Sequence, residues 1–404
     1  MIDQKINVPY GKAVYGEEEI EAVVRALRTS TQMGKHVRAM EGQTSALFAK
    51  KYGVMVNSGS SANYLAVEIA DLPKGSEVIT PILTFSTTVA PLIKNGLIPV
   101  FVDVESATYN IDANQVEEMI TKNTSALMIP NLLGNLPDWK KLRSLADKYD
   151  LFVIEDSADT LGATFDNLPV GRFSDISTTS FYGSHVISCA GNGGMLCVNE
   201  EHLADRAKLL RSWGRSSSLF VESEAIENRF NVKVDQIEYD AKFVFEALGY
   251  NLEPSEIGAA FGLVQLKKLQ NNIALIEKAF SEQCRFFSKY EEWFLLPEQI
   301  SNSRTGWLAF PLIIKDQAPF SRKELQIFLE QNNIQTRTVF TGNILKQPGF
   351  ALITCRTSPR GYPHADLVMR GGMLIGCHHG LTDEMMRHMH CTFEKFVSRL
   401  TSMV

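Results

Sequence analysis

The sequence predicts an α/β protein, with a large domain built on a mostly parallel seven-stranded sheet between helices and a smaller C-terminal α+β domain. From about residue 50 to 200, short apolar runs alternate with amphipathic stretches. That alternation builds a parallel sheet covered on both faces. Beyond about residue 256 the pattern changes to one long helical repeat, then a strand-like run and a further helix. A length of 404 residues also exceeds what one compact core fills. A large unit over 1–255, including the N-terminal segment, and a smaller unit over 256–404 are therefore expected.

The strand runs, in order, are Val54–Asn57, Glu77–Pro81, Ile98–Val104, Ala126–Asn131, Leu151–Asp156, Ile176–Tyr182 and Gly194–Asn199. Several are β-branched and bounded by Gly, Pro, Asn or Asp, the composition of strands between turns. Asn114–Thr121 and Trp139–Tyr149 read as amphipathic helices between them. In the second unit, Glu256–Tyr290 carries Leu263, Leu266, Leu269, Ile273 and Ile276 at helical spacing. Gly306–Ile314 reads as a strand, and Ser321 opens another helix.

Composition narrows the function. Apolar residues make up 45% and charged residues 21%, as in an ordinary globular protein, and the net charge is -6. That charge argues against a general nucleic-acid or anionic-membrane binder, while a local pocket can still take an anionic small molecule. No apolar run reaches the length of a membrane span, and the N-terminus lacks the apolar core of a signal peptide. A cytoplasmic location is the expectation. The six cysteines are scattered without a CxxC pair and read as buried free thiols. His378, His379, His388 and His390 lie close in sequence, but His388 and His390 cannot share a helix face, so no metal site is expected.

Ligands of open parallel sheets bind beyond the carboxyl ends of the strands, and four segments at such ends carry chemistry. Asn57-Ser58-Gly59-Ser60-Ser61-Ala62-Asn63 follows a strand and opens a helix. Its small residues, hydroxyls and N–H groups suit a phosphate, though a plain helix cap needs the same residues. In Thr84-Phe85-Ser86-Thr87-Thr88, Phe85 could stack on a flat ring or fill the core. Ile154-Glu155-Asp156-Ser157-Ala158-Asp159 ends an apolar strand with an acid, which is costly unless paired. A protonated pyridine nitrogen is one partner, and a helix N-cap is the competing role. Ser180-Phe181-Tyr182-Gly183-Ser184-His185 leads from a strand into a Gly-rich turn, where a lone histidine is either structural or an acid–base.

Taken in order with Arg211–Arg215 (RSWGR) and Gly249-Tyr250-Asn251, these motifs resemble the sugar aminotransferases of the DegT/DnrJ/EryC/StrS family, fold type I pyridoxal-phosphate enzymes. The resemblance covers nearly the whole chain. It implies that Ser60, Ser61 and Ser180 hold the phosphate of pyridoxal or pyridoxamine 5'-phosphate, and that Phe85 stacks on its ring. It implies that Asp156 keeps the ring nitrogen protonated and that Asp159 lies near the ring hydroxyl. Asn251 matches a residue that reaches the cofactor phosphate of a neighbouring subunit, which implies a homodimer with shared active sites.

At the position where the family's aminotransferases carry the lysine that binds the cofactor covalently, this chain has His185. No lysine occurs between Lys148 and Lys208. Imidazole cannot form a Schiff base, but it can move a proton near neutral pH. This resembles the branch that removes the 3-hydroxyl from nucleotide-linked 4-keto-6-deoxysugars, as do 249–269 and 336–350. His185 is then the catalytic acid–base. The reductase-coupled members of that branch carry a cysteine-rich segment after the RSWGR match, but here 216–223 has none, and the next cysteine after that match is Cys284. An iron–sulfur cluster needs several thiolates together. The expectation is therefore a cluster-free 3-dehydratase, regenerated by an amino donor such as glutamate. Its rivals are a reductase-coupled dehydrase, a net sugar aminotransferase and a catalytically silent regulatory protein. The turn Val186–Asn192 keeps the aminotransferase length, and His185 is flanked by Ser184 and Val186. Arg215 and Arg337 are candidates for a substrate diphosphate or a donor carboxylate, or else for ordinary ion pairs.

Overall fold

A computed structural model describes residues 6–222 and 224–401. Seven strands form the central sheet: β1 (Tyr52–Val56), β2 (Glu77–Pro81), β3 (Ile98–Val102), β4 (Thr124–Pro130), β5 (Phe152–Asp156), β6 (Ile176–Ser180) and β7 (Gly194–Val198), in the order β1-β7-β6-β5-β4-β2-β3. Only β7 runs against the rest, pairing antiparallel with both β1 and β6. The remaining pairs are parallel. The mostly parallel seven-stranded sheet expected from the alternation is therefore present.

The reason lies in which side chains each strand buries. Met55, Ile79, Leu127, Ile129 and Val153 enter one apolar core, while Val54, Val56, Val78, Ala126, Met128 and Ile154 enter another on the opposite face. Side chains alternate along a strand, so a strand apolar at every position needs cover on both sides. One consequence matters for function. All strands but β7 end at the same edge of the sheet, so the segments after Val56, Pro81, Pro130, Asp156 and Ser180 share one rim.

A second, antiparallel sheet has the order β8-β9-β11-β10, from β8 (Phe294–Leu295), β9 (Ala309–Ile314), β10 (Thr336–Thr338) and β11 (Gly372–Gly376). Helix Glu256–Phe287 joins the two regions. Its Ala259, Leu269 and Ile273 pack into a core of the large sheet, and its Ile276, Ala279 and Phe286 into the core of the small one. Ser255 caps it by accepting from the Gly258 N–H, and a 3-10 turn over Ser288–Tyr290 replaces the helical end expected there. Ser321 forms a capping box with Glu324. Near the N-terminus, Val8 bridges to Ile334 and lays Pro9–Tyr10 along the small sheet.

The expected helix over Asn114–Thr121 is much reduced. One turn, Ala113–Val116, passes into a 3-10 turn, Glu117–Met119. The Thr121 and Thr124 hydroxyls both donate to Glu77, drawing the chain out of the helix into β4. The strand expected from Gly306 starts at Ala309, because Leu308 donates its N–H to the Leu133 carbonyl of a loop instead of to a strand. Burial of the cysteines also differs from expectation. All six are free, but only Cys189, Cys197 and Cys377 are buried; Cys284 and Cys355 are half-buried and Cys391 is exposed. Two of the C-terminal histidines have structural partners on other elements: His388 Nε2 lies 2.8 Å from the Asn332 carbonyl, and His390 stacks on Phe286. Among the described residues no helix is long and apolar enough to cross a membrane.

Candidate active site

The loops at the shared rim enclose a cavity of about 490 Å³, a size suited to a cofactor or substrate. Ser60, Phe85, Asp156, Asp159, Ser180, His185 and Arg337 all line it. Residues far apart in sequence thus meet because their strands end together.

At one end the helix Gly59–Ile69 points its N-terminus into the cavity. Ser58 caps it, accepting from the Ser61 N–H at 3.1 Å, and the Ser61 hydroxyl donates to Asn57 at 2.6 Å. Ser61 is thereby committed to capping, and it does not line the cavity. Ser60 does, with its hydroxyl 3.1 Å from Thr87. The capping leaves the Gly59 and Ser60 N–H groups without an acceptor among the described residues. Such amides, backed by the helix dipole, form an anion site. Gly59 is required here for space: a Cβ on it would stand 2.6 Å from Ser180 Cβ and 2.9 Å from Ser180 Oγ. Its missing side chain brings the Ser180 hydroxyl against the helix N-terminus. The helix cap is present, and it leaves two N–H groups free to face an anion.

Phe85 is 51% exposed, so it is not a core residue. Its ring stands at the cavity edge, 6.0 Å from the Phe340 ring in an edge-on arrangement. A large aromatic face left open inside a cavity suits a flat ligand.

Asp156 ends β5 and is buried. No helix follows it, which removes the N-cap alternative. Asn63 and Thr88 donate to its Oδ2 at 2.7 and 2.8 Å, and the Ala158 N–H reaches Oδ1 at 3.2 Å. Burial raises its pKa in spite of these bonds. A carboxylate so placed favours a cationic partner. Asn63, Thr88 and Tyr10 are site residues that sequence reasoning did not single out. For Asn63 a signal existed: a polar residue in the second turn of a helix, on the side facing the sheet.

His185 follows β6, in the turn after Gly183, with its side chain only 12% exposed. Its Nδ1 is enclosed and stands 3.5 Å from Asp159 Oδ1. That is longer than a full hydrogen bond, so the two form a loose pair. Asp159 Oδ2 accepts from the Leu133 N–H at 3.0 Å, and Leu133 adopts a left-handed backbone to supply it. Strain of this kind is held where a site needs it. Burial, followed by repulsion from Asp156, pushes Asp159 up to about 7. Burial pushes His185 down to about 4. Both groups are therefore biased toward their neutral forms. With Nδ1 enclosed, Nε2 is the nitrogen turned to the cavity.

Residues 14–393 match the DegT/DnrJ/EryC1/StrS aminotransferase family.

The chain belongs to that family.

Among its relatives, a lipopolysaccharide biosynthesis protein RfbH from Salmonella typhimurium is 35% identical over 96% of this chain and 91% of its own length. A dTDP-4-dehydro-2,6-dideoxy-D-glucose 3-dehydratase from Saccharopolyspora spinosa is 32% identical over 97% and 86%. A solved GDP-4-keto-6-deoxymannose-3-dehydratase with a trapped PLP-glutamate geminal diamine superposes with a TM-score of 0.85, at 28% identity, over 96% of this chain and 100% of that one. The fold is the fold type I, aminotransferase-like one that the motifs imply.

Two family-matched positions stand apart from the cavity. Arg215 lies 4.4 Å from the Trp213 ring, with Phe243 and Phe245 each 5.9 Å away, so its guanidinium sits among aromatics instead of carboxylates. Asn251 bridges to Ser212 near it. Arg337, by contrast, lines the cavity from β10, 5.5 Å from the Tyr10 ring, and donates to the Thr336 carbonyl.

Proposed function

We propose that this protein is a pyridoxal/pyridoxamine-phosphate-dependent 3-dehydratase of a nucleotide-linked 4-keto-6-deoxyhexose, with His185 as its acid–base. The observation that carries this is His185 itself, at the cavity position where the family's aminotransferases have lysine, beside an acid held largely neutral. The dehydratase relatives support the same reaction class.

The residues present suit the cofactor. Gly59, Ser60 and Ser180 form an anion cradle that a Cβ would fill, Phe85 offers an open ring face, and Asp156 is a buried acid without a cation. Bound there, the cofactor would supply an electron sink for the pair left when a neighbouring carbon loses a proton. Asp156 would hold the ring N–H and keep that sink charged. Phe85 would set the ring plane. His185 Nε2 takes the proton and delivers it to the departing 3-hydroxyl, one group serving as base and then acid. Burial makes His185 a poor holder of charge, which favours passing the proton on over retaining it. Arg337 binds an anionic group of the sugar nucleotide or the donor.

Glutamate is the proposed amino donor. The net change is keto sugar plus glutamate to 3-deoxy keto sugar, 2-oxoglutarate and ammonia: glutamate supplies the two electrons, the 3-oxygen leaves as water, and one water is taken up in the hydrolysis that releases ammonia. Cysteine placement supports this cluster-free route.

The working unit is proposed to be a homodimer with Asn251 reaching the partner's site. Between Arg215 and Asn251 the chain exposes Val221, Ile226, Ile237 and Leu248, with Leu248 at 95%. An apolar stretch of this size suits a second copy.

The test is mass spectrometry of products from GDP-, CDP- and dTDP-linked 4-keto-6-deoxyhexoses incubated with pyridoxamine phosphate and glutamate. A product lacking one oxygen, with 2-oxoglutarate and ammonia, is expected. Turnover with every oxygen retained, or a stable amino sugar, refutes the reading.

A further inference from the structure

Behind the His185–Asp159 pair lies a smaller recess of about 10 Å³, room for one water molecule. His185 and Asp159 line both it and the large cavity, so they form the partition between them. Cys377, His378 and His379, which follow β11, line the recess as well. The reaction described above uses none of these three.

The two histidines differ in one respect. His378 has both ring nitrogens engaged: Nε2 lies 3.1 Å from the Pro9 carbonyl, and Nδ1 accepts from the Gly380 N–H at 3.2 Å. That fixes a neutral ring with its proton on Nε2. His379 has neither nitrogen engaged, although both are buried. Among the residues of the recess, His185 Nδ1 is the other enclosed ring nitrogen without a full hydrogen bond. Three unpartnered imidazole nitrogens thus belong to residues lining one water-sized recess. Buried polar groups are seldom left so, and a water with two to four polar neighbours is the usual means of satisfying them.

We propose that His379 is a positioning residue for His185: through one water in the recess it accepts the hydrogen bond of His185 Nδ1–H, and so keeps the Nε2 lone pair turned to the substrate cavity. No proton is transferred. His185 Nδ1–H donates to the water, and the water donates to a His379 ring nitrogen. Which imidazole nitrogen carries the proton is set by the bond the other makes. Asp159 cannot hold this role throughout the working range, because below about pH 7 it is largely protonated and offers a donor as readily as an acceptor. Burial lowers His379 to about 4, so it keeps a lone pair while Asp159 titrates. The other titratable groups facing the recess are Cys377, whose thiol burial keeps protonated, and the engaged His378, with Lys12 near it.

The inference rests on His185 being the acid–base, and its first readout is independent of turnover. In ring-15N spectra of the full-length protein, His185 is expected as the Nδ1–H tautomer between pH 6 and 8. His379→Phe keeps a ring but removes the acceptor, so Nε2–H should appear on His185. His379→Gln, whose amide oxygen accepts, should restore Nδ1–H. In turnover, His379→Phe should lower kcat about tenfold, as loss of an orienting partner does elsewhere, with KM for the sugar unchanged. The proposal is overturned if His185 of the unmodified protein carries its proton on Nε2, a result that needs no variant to fold. Equal tautomer fractions in the unmodified protein and His379→Phe, equal perturbation by both variants, or an unchanged kcat overturn it too. The spectra need no substrate, so their failure leaves the dehydration reading to product analysis.

Discussion

Replacing Asp159 with Asn should make the cofactor-free protein gain stability, relative to the unmodified chain, as the pH rises. The carboxyl is pushed from its ordinary 3.8 to about 7 by burial and by Asp156. The native state then holds this proton more tightly than the unfolded chain. Between pH 3.8 and 7 the native state binds more protons, so stability falls as pH rises through that window; the contribution is intact below it and lost above it. The shift is worth roughly 4 kcal/mol at about 1.36 kcal/mol per tenfold change in proton affinity. His185 works in the opposite sense. Its native pKa is lowered from 6.5 to about 4, so its contribution is present above pH 6.5 and lost as pH falls toward 4, on the order of 3 kcal/mol. The two largely offset in the unmodified chain. An asparagine side chain at this position keeps the shape and can still accept from the Leu133 N–H, so the Asp159→Asn variant isolates the Asp159 share. Urea unfolding of both proteins from about pH 4.5 to 8 is the assay. The stability difference should grow by about 2–4 kcal/mol in favour of the variant over that range. Parallel curves would refute the argument that burial and Asp156 hold Asp159 neutral.

Further predictions concern the cofactor and substrate. Asp156→Asn removes the buried charge and should cut turnover by on the order of 10²–10³ while the fold persists, measured as kcat with circular dichroism as the control; near-normal kcat contradicts the role of Asp156. Gly59→Ala forces Ser180 away from the helix N-terminus and should weaken pyridoxal-phosphate binding by about 10- to 100-fold, the equivalent of an overpacking cost of about 1–3 kcal/mol. Fluorescence titration checks it, and unchanged affinity excludes that cradle. Arg337→Ala should raise one KM by about 10- to 100-fold, as loss of a charge-assisted bond does, and the substrate affected identifies what Arg337 binds; if neither KM moves, Arg337 is not a substrate contact.

Much of the site was legible because strand ends leave local marks. The runs ending at Val56 and Asp156 pass directly into polar segments of small residues, and the run ending at Ser180 reaches Gly183-Ser184-His185 after two aromatics; those segments prove to share one rim. The Asn114–Thr121 helix misled because its apolar spacing, Val116 and Met119, survives in a short turn once Glu77 draws in two threonine hydroxyls. Tyr10 carried no signal, being brought to the cavity by bonds between distant parts of the chain: the Val8–Ile334 bridge, its own N–H donating to Gln335, and the Pro9 carbonyl beside His378. Leu133 carried none either, because its role lies in a left-handed backbone and not in its side chain.

By itself the sequence determined the sheet, the order of the four rim segments and the replacement of lysine by His185. All are properties of residue type and period, which do not depend on distant neighbours. Tertiary structure decided what those residues are. Open space left Phe85 exposed at the cavity and gave Ser61 to the helix cap, and distance separated Arg215 from Arg337. Burial carried the Asp159 and His185 titrations past each other. Desolvation depends on everything packed around a group, and no stretch of sequence carries that information.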